Sequence, residues 1–144
     1  MRVFIDTNLW VYRLDKRDAE KSRLAGKWLR QMAHDHEIVI STQIMIELRA
    51  VLARKLKPAW AASDIGTALQ ALAAFEVLST DANMVLDAHA LAVTEQISWF
   101  DALIAEAAIR SGCAVLFSED FSHGRALGDL TVRNPFIDGS VAST

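Results

Sequence analysis

The feature that most constrains this chain is a regular alternation of short β-branched runs with longer stretches of helical periodicity. Arg2-Val-Phe-Ile5 is a β-branched and aromatic run that stops at Asp6-Thr-Asn8, residue types that cap helices. Ile38-Val-Ile40 stops at Ser41-Thr42, Phe75 to Leu78 at Ser79-Thr80, and Cys113 to Phe117 at Ser118-Glu119-Asp120. The intervening segments read as helices. A short one is expected at about Leu9 to Leu14, and a longer one over Ala19 to His34, where Leu24, Trp28, Leu29 and Met32 mark one face. The next covers Gln43 to Lys55, with Ile44, Leu48, Val51 and Leu52 as its buried stripe. Others follow over Ala59 to Ala74, from Ser79-Thr80 through about Thr94, and from Ser98 to Ser111 with Gly112 ending it. Val132 begins a last short strand before Pro135, and the small, polar stretch from Gly139 to Thr144 reads as a disordered tail. Strand–helix alternation of this kind implies an α/β fold, with a central, mainly parallel sheet flanked by helices. We expect one domain over residues 1–138 and a tail over 139–144.

Length and composition support that reading. A chain of 144 residues buries roughly two thirds of its unfolded surface and needs no disulfide. Cys113 is the only cysteine, so no internal disulfide forms; the residue reads as a small buried hydrophobe and the cytosol as a fitting compartment. The four histidines, at 34, 36, 89 and 123, make no His-Glu-x-x-His pattern, which argues against zinc. The apolar run after Arg2 breaks at Asp6, unlike a signal peptide, and no run is long enough to span a membrane. The net charge of −3 at first speaks against a polyanionic partner, but setting aside four acids as metal ligands leaves the remainder at +1.

Four acids stand out by placement. In open parallel sheets, ligands bind beyond the carboxyl ends of the strands. Asp6 directly follows the first strand, and Asp120 follows the strand ending at Phe117. Glu47 lies about one and a half turns into the helix after the second strand, and Asp101 in the first turn of the helix opened by Ser98. Each has a plain structural reading: Asp6 as a helix cap, Glu47 as a solvated glutamate, Asp101 as the answer to a Ser98 cap, Asp120 as a turn residue. Those readings together need four independent coincidences. Magnesium and manganese are hard cations that take carboxylate oxygens, and crowded carboxylates without a cation repel one another and raise a pKa.

At these residues the chain resembles PIN domains. Val3-Phe-Ile-Asp-Thr-Asn8 opens it, Ile46-Glu47 sits in the second motif, and Ser98-Trp-Phe-Asp-Ala-Leu-Ile104 and Leu116-Phe-Ser-Glu-Asp-Phe121 look like the two later ones. Val132-Arg-Asn-Pro-Phe136 is similar to the end of a VapC-type toxin. The resemblance runs from residue 2 to about 137. It implies a PIN-like fold and an endoribonuclease that is the toxin of a type II toxin–antitoxin pair. It also implies Mg²⁺ or Mn²⁺, a homodimer, and a cognate antitoxin that blocks the site. By position, Asp6, Glu47, Asp101 and Asp120 become the metal-binding, catalytic set. Asp6 and Asp101 are then direct ligands, while Glu47 and Asp120 bind metal or activate water. Glu119 is a further candidate ligand, because the motif has adjacent acids of which one need face the metal. Thr7, Asn8 and Ser118 would hold the carboxylates in place.

Residues that would touch RNA are harder to read. Arg13, Lys16 and Arg17 follow the first motif, His123 and Arg125 the last, and Trp99 beside Asp101 could stack a base or pack in the core. Two other enzyme or regulatory classes fit less well. A phospho-accepting receiver wants paired acids after its first strand, where this chain has Asp6-Thr7; a phosphatase with an aspartate nucleophile wants a second aspartate where Asn8 stands. The remaining alternative is a catalytically inactive PIN-fold module that binds RNA or protein.

Overall fold

In the computed structural model, which describes residues 1–137 and 139–141, β1 (Arg2–Ile5) runs through the interior of a six-stranded sheet. Val3, Phe4 and Ile5 are all fully buried, with no alternation between wet and dry faces. Such runs suit a parallel strand covered on both sides. On one side β1 pairs in parallel with β2 (Glu37–Ser41), Val3 opposite Ile38, and β2 pairs with β3 (Glu76–Leu78). On the other side β1 pairs in parallel with β4 (Val115–Phe117), Ile5 opposite Phe117. Beyond β4 lie β6 (Leu130–Arg133), parallel to it, and β5 (Ala126–Leu127), antiparallel to β6. The strand order is therefore β3-β2-β1-β4-β6-β5. The chain first winds outward from β1 through β2 and β3, then returns to β1's other side with β4. This reversal makes the gap between β1 and β4 the switch point of the sheet, where α/β folds place their ligands.

Helices connect these strands: α1 (Thr7–Leu14), α2 (Ala19–Asp35), α3 (Thr42–Ala50), α4 (Ala62–Ala73), α5 (Ala82–Glu95) and α6 (Trp99–Arg110). α1 packs on α2 and α3, α5 on α6, and α6 against β2 and β4. In the core, Trp10 packs on Phe75 with its ring tilted by 50°, and Trp28 packs edge-on to Phe117. Trp10 also donates through its indole Nε1 to the Ile5 carbonyl, at 3.1 Å, which binds the first turns of α1 to the strand before it. Three helices begin on side chains that accept from the third residue on: Asp18 from Lys21, Asp81 from Met84 and Ser98 from Asp101.

The expected elements are present, with instructive changes at their ends. The helix expected over Gln43 to Lys55 stops being α-helical at Ala50 and widens into a π-helical turn over Val51–Lys55. The Trp60 amide then donates to the Leu52 carbonyl, at 3.1 Å, so the chain folds back before α4 starts at Ala62 rather than Ala59. β5 was not expected: its two residues carry no readable period. Its hairpin to β6 turns through Gly128, at φ +63°, a conformation that suits glycine. Of the tail, the Val141 amide donates to the Pro135 carbonyl and its side chain packs at the core edge. Residues 138 and 142–144 lie outside the described residues. Among the described residues, no helix is long and apolar enough to cross a membrane.

Candidate active site

The carboxyl ends of β1, β2 and β4 bring Asp6, Ser41 and Ser118 side by side. Asp6 is both the residue after β1 and the N-cap of α1, where its extended backbone turns the chain into the helix. The Asp6 amide donates to the Phe117 carbonyl, at 3.0 Å, which seals β1 to β4 at the switch point. Its carboxylate is only 4% exposed and accepts from two neutral donors, the Thr7 amide at 2.7 Å and the Ser118 hydroxyl at 2.7 Å. Ser118 also accepts from the Asp120 amide, at 3.0 Å, so one hydroxyl organises the whole loop after β4.

Glu47 enters from α3. Its carboxylate accepts from the Thr7 hydroxyl at 2.7 Å and from the Gln43 amide nitrogen at 2.7 Å. Thr7 thus spans two acids, with its backbone on Asp6 and its side chain on Glu47. Asp101 stands half-buried in the first turn of α6, and its own amide donates to the Ser98 hydroxyl at 3.2 Å. Asp120 is exposed and takes a 3.4 Å hydrogen bond from the Asn8 amide.

Charge ties these four together. Burial pushes the Asp6 carboxyl up to about 7, against the pull of its Ser118 and Thr7 donors, and the charges of Asp120 and Glu47 push it further. Burial likewise raises Asp101; its Ser98 partner opposes the shift, and the charges of Asp120 and Glu47 add to it. Among the described residues, no ion pair includes Asp6, Glu47, Asp101 or Asp120. Every donor named here is an amide or a hydroxyl. The site therefore holds its carboxylates in position without cancelling their charge. Hard oxygen donors with unspent negative charge fit a divalent cation of the magnesium type. The ligand cage is not closed: among the described residues, no group of three or more His, Cys, Asp or Glu stands ready to hold a metal ion.

The other candidates lie elsewhere. Glu119 accepts from the Tyr12 hydroxyl at 2.6 Å, and Tyr12 also feels the Asp120 charge. Burial and the Glu119 carboxylate push the Tyr12 phenol up, so it stays a donor, and Lys21 lies 3.7 Å over its ring. Arg13 crosses α2 at Gly26, where a Cβ would come within 2.7 Å of its side chain. It lines a groove of about 360 Å³ with Trp10, Leu29, Leu72 and Arg30 rather than the carboxylates. Arg125 is bound to the Glu95 carbonyl at 2.6 Å, and His123 accepts from the Asn134 amide. Trp99 is 39% exposed at the start of α6, neither core nor free.

Three residues at the site were not singled out from sequence. Tyr12 reaches Glu119 across 107 positions, a distance no local pattern reports. Ser41 sits at an N-cap position but makes no cap bond, and its buried hydroxyl has no partner among the described residues. Gln43 carried a readable signal, since it stands four residues before Glu47 and therefore on the same helix face.

Comparison with known proteins places this geometry. No curated protein sequence matches the chain. Solved structures share its fold. One is VapBC2 from Rickettsia felis bound to a promoter DNA fragment, with TM-score 0.64 and 21% identity over 93% of this chain and 98% of that one. Another is a toxin–antitoxin complex from Klebsiella pneumoniae, at 0.61 and 18% over 90% and 95%. A third is VapC20 of Mycobacterium tuberculosis, a toxin that cleaves the sarcin–ricin loop, at 0.61 and 19% over 90% and 98%. The PIN domain family matches residues 3–126, most of the 144-residue sequence, and the chain belongs to that family.

Proposed function

We propose that the protein is an endoribonuclease dependent on Mg²⁺ or Mn²⁺, acting as the toxin of a toxin–antitoxin pair. The observation that carries this reading is the uncompensated carboxylate set: four acids from four segments, held by neutral donors and by no cation. Asp6 and Asp101, both with carboxyls raised by burial and by their neighbours' charges, are the residues that would ligate the ion. When bound, a divalent ion supplies the positive charge that offsets the phosphate's and lowers the pKa of water.

The chain's own residues divide the remaining work. Thr7 and Gln43 already occupy both oxygens of Glu47, which makes it a fixed negative wall. Asp120 is exposed and carries only the long bond from Asn8, so it is the freer group to take a proton from the attacking water. Water attacks phosphorus in line, the 3′-oxygen of the preceding ribose leaves, and the products end in a 5′-phosphate and a 3′-hydroxyl. The ribose 2′-hydroxyl is not the nucleophile. Trp99, partly exposed two residues before Asp101, is the aromatic we assign to stacking a base.

Two partners complete the proposal. The groove lined by Trp10, Leu29, Leu72, Arg13 and Arg30 suits an amphipathic segment with acidic residues, and we assign it to a cognate antitoxin. Ile46, Leu86, Val93 and Phe100, on α3, α5 and α6, are exposed hydrophobics, and we assign them to a homodimer contact. The likeness to toxin–antitoxin structures supports an antitoxin partner.

The test is cleavage of total RNA by the purified chain, freed of any antitoxin, with the new ends mapped. Cleavage with Mg²⁺ or Mn²⁺ that leaves 5′-phosphates and stops in EDTA is expected, as is its loss in Asp6→Asn and Asp101→Asn. Cleavage that survives EDTA, or that leaves 2′,3′-cyclic phosphates, contradicts the reading.

A further inference from the structure

Gln43 is a buried polar side chain that holds Glu47 and has a second acceptor, on another helix, that holding Glu47 does not require. It is 9% exposed in the first turn of α3. Its amide nitrogen serves two acceptors, Glu47 Oε1 at 2.7 Å and the Phe100 carbonyl at 3.3 Å. The first lies on its own helix; the second lies 57 positions away, in the first turn of α6. Phe100 immediately precedes Asp101, and its ring is 64% exposed, so ring packing does not hold that turn against α3. The amide does.

We propose that Gln43 is a positioning residue that sets the separation of Glu47 and Asp101 and so tunes the affinity of the site for a divalent ion. The inference rests on the metal-dependent reading above. A plain reading competes with it: glutamine four residues before glutamate is an ordinary stabilising pair on a helix surface. Burial and the second acceptor on another helix separate the two readings. A surface pair would be exposed and would end on its own helix.

The residue type fits the role. A lysine or arginine here would neutralise Glu47 and compete with an incoming cation. An amide fixes the carboxylate and leaves its charge available. The amide's orientation is also determined, because turned over it would set its oxygen against the Glu47 carboxylate. In that orientation Gln43 Oε1 is buried, with no partner among the described residues.

The test is calorimetric titration of Mn²⁺ into the full chain, freed of antitoxin, for the wild type, Gln43→Leu, Gln43→Asn and Asp6→Asn. Each titration is accompanied by melting curves with and without Mn²⁺. Leucine keeps the bulk and removes both donors; asparagine keeps the amide but is one methylene too short to span both acceptors, and it covers the case in which leucine does not fold. Both variants should weaken Mn²⁺ binding about tenfold or more, as loss of a group that orients a ligand does. They should also shrink the rise in melting temperature that Mn²⁺ produces. A merely structural role would lower the metal-free melting temperature and leave the Mn²⁺ increment intact, which overturns the proposal. Loss of binding in Asp6→Asn with wild-type affinity in both Gln43 variants also overturns it, while leaving the metal site standing. Wild-type affinity in Asp6→Asn overturns the metal reading itself, and this inference with it.

Discussion

The two halves of the carboxylate site are built differently. On the side of β1 and α3, Asp6 and Glu47 are each gripped by two neutral donors at 2.7 Å, and Asp6 is buried. On the side of α6 and the loop after β4, Asp101 is half-buried, while Asp120 is exposed on a single 3.4 Å contact. The difference separates two tasks. On the proposed reading, the gripped half would fix where a cation sits, and the open half would stay accessible to solvent and to RNA. Burying Asp6 has a cost, which appears in its raised carboxyl; the charges of Asp120 and Glu47 add to it.

Predictions follow that contrast in order of size. Asp6→Asn should break the gripped half and lower cleavage by roughly a thousandfold or more, the scale on which single groups in an electrostatic site act. It should also stabilise the metal-free chain. Asp6 titrates at about 7 in the fold against 3.8 in the unfolded chain, so the folded state binds the extra proton between those values. Its contribution to stability is full below about 3.8 and is lost as pH rises through about 7. The metal-free variant should therefore melt above the wild type at pH 8, by an amount corresponding to at most about 4 kcal/mol, with the gap closing toward pH 4. Melting curves across that range check it; a gap that widens as pH falls would contradict the burial argument.

Thr7→Val keeps the amide that holds Asp6 and removes only the hydroxyl that holds Glu47. Metal affinity should drop roughly ten- to a hundredfold, measured by calorimetry, with little change in fold. Asn8→Ala tests the open half. Its long bond to an exposed carboxylate is worth little, so cleavage should stay within about threefold of wild type. A large loss in Asn8→Ala with none in Thr7→Val would invert the comparison.

Much of this arrangement was legible in the residues. Asp6 and Asp120 follow strands, and Asp101 follows a serine cap; each is a local pattern with a physical cause. Glu47 rested more on family resemblance, because its helical phase alone puts it at the edge of a buried stripe. The grip on Glu47 was not legible. Thr7 and Glu47 are 40 positions apart, and only the pairing of β1 with β2 brings α1 and α3 together. Glu119 and Asp120 look equivalent as neighbours, and it is Tyr12, 107 positions away, that donates to Glu119. Arg13 reads as a candidate RNA contact because it follows the first motif, but Gly26 lets it lie across α2 instead.

The central claim is that the site's negative charge is left free for a cation. It is tested most directly by following the Asp6 carboxyl carbon by NMR through a pH titration of the antitoxin-free chain, with and without Mg²⁺. Without metal it should titrate near 7, and with saturating Mg²⁺ it should stay ionised to well below its ordinary value of 3.8. An Asp6 that titrates near 3.8 without metal, or one that Mg²⁺ leaves unmoved, would contradict the account.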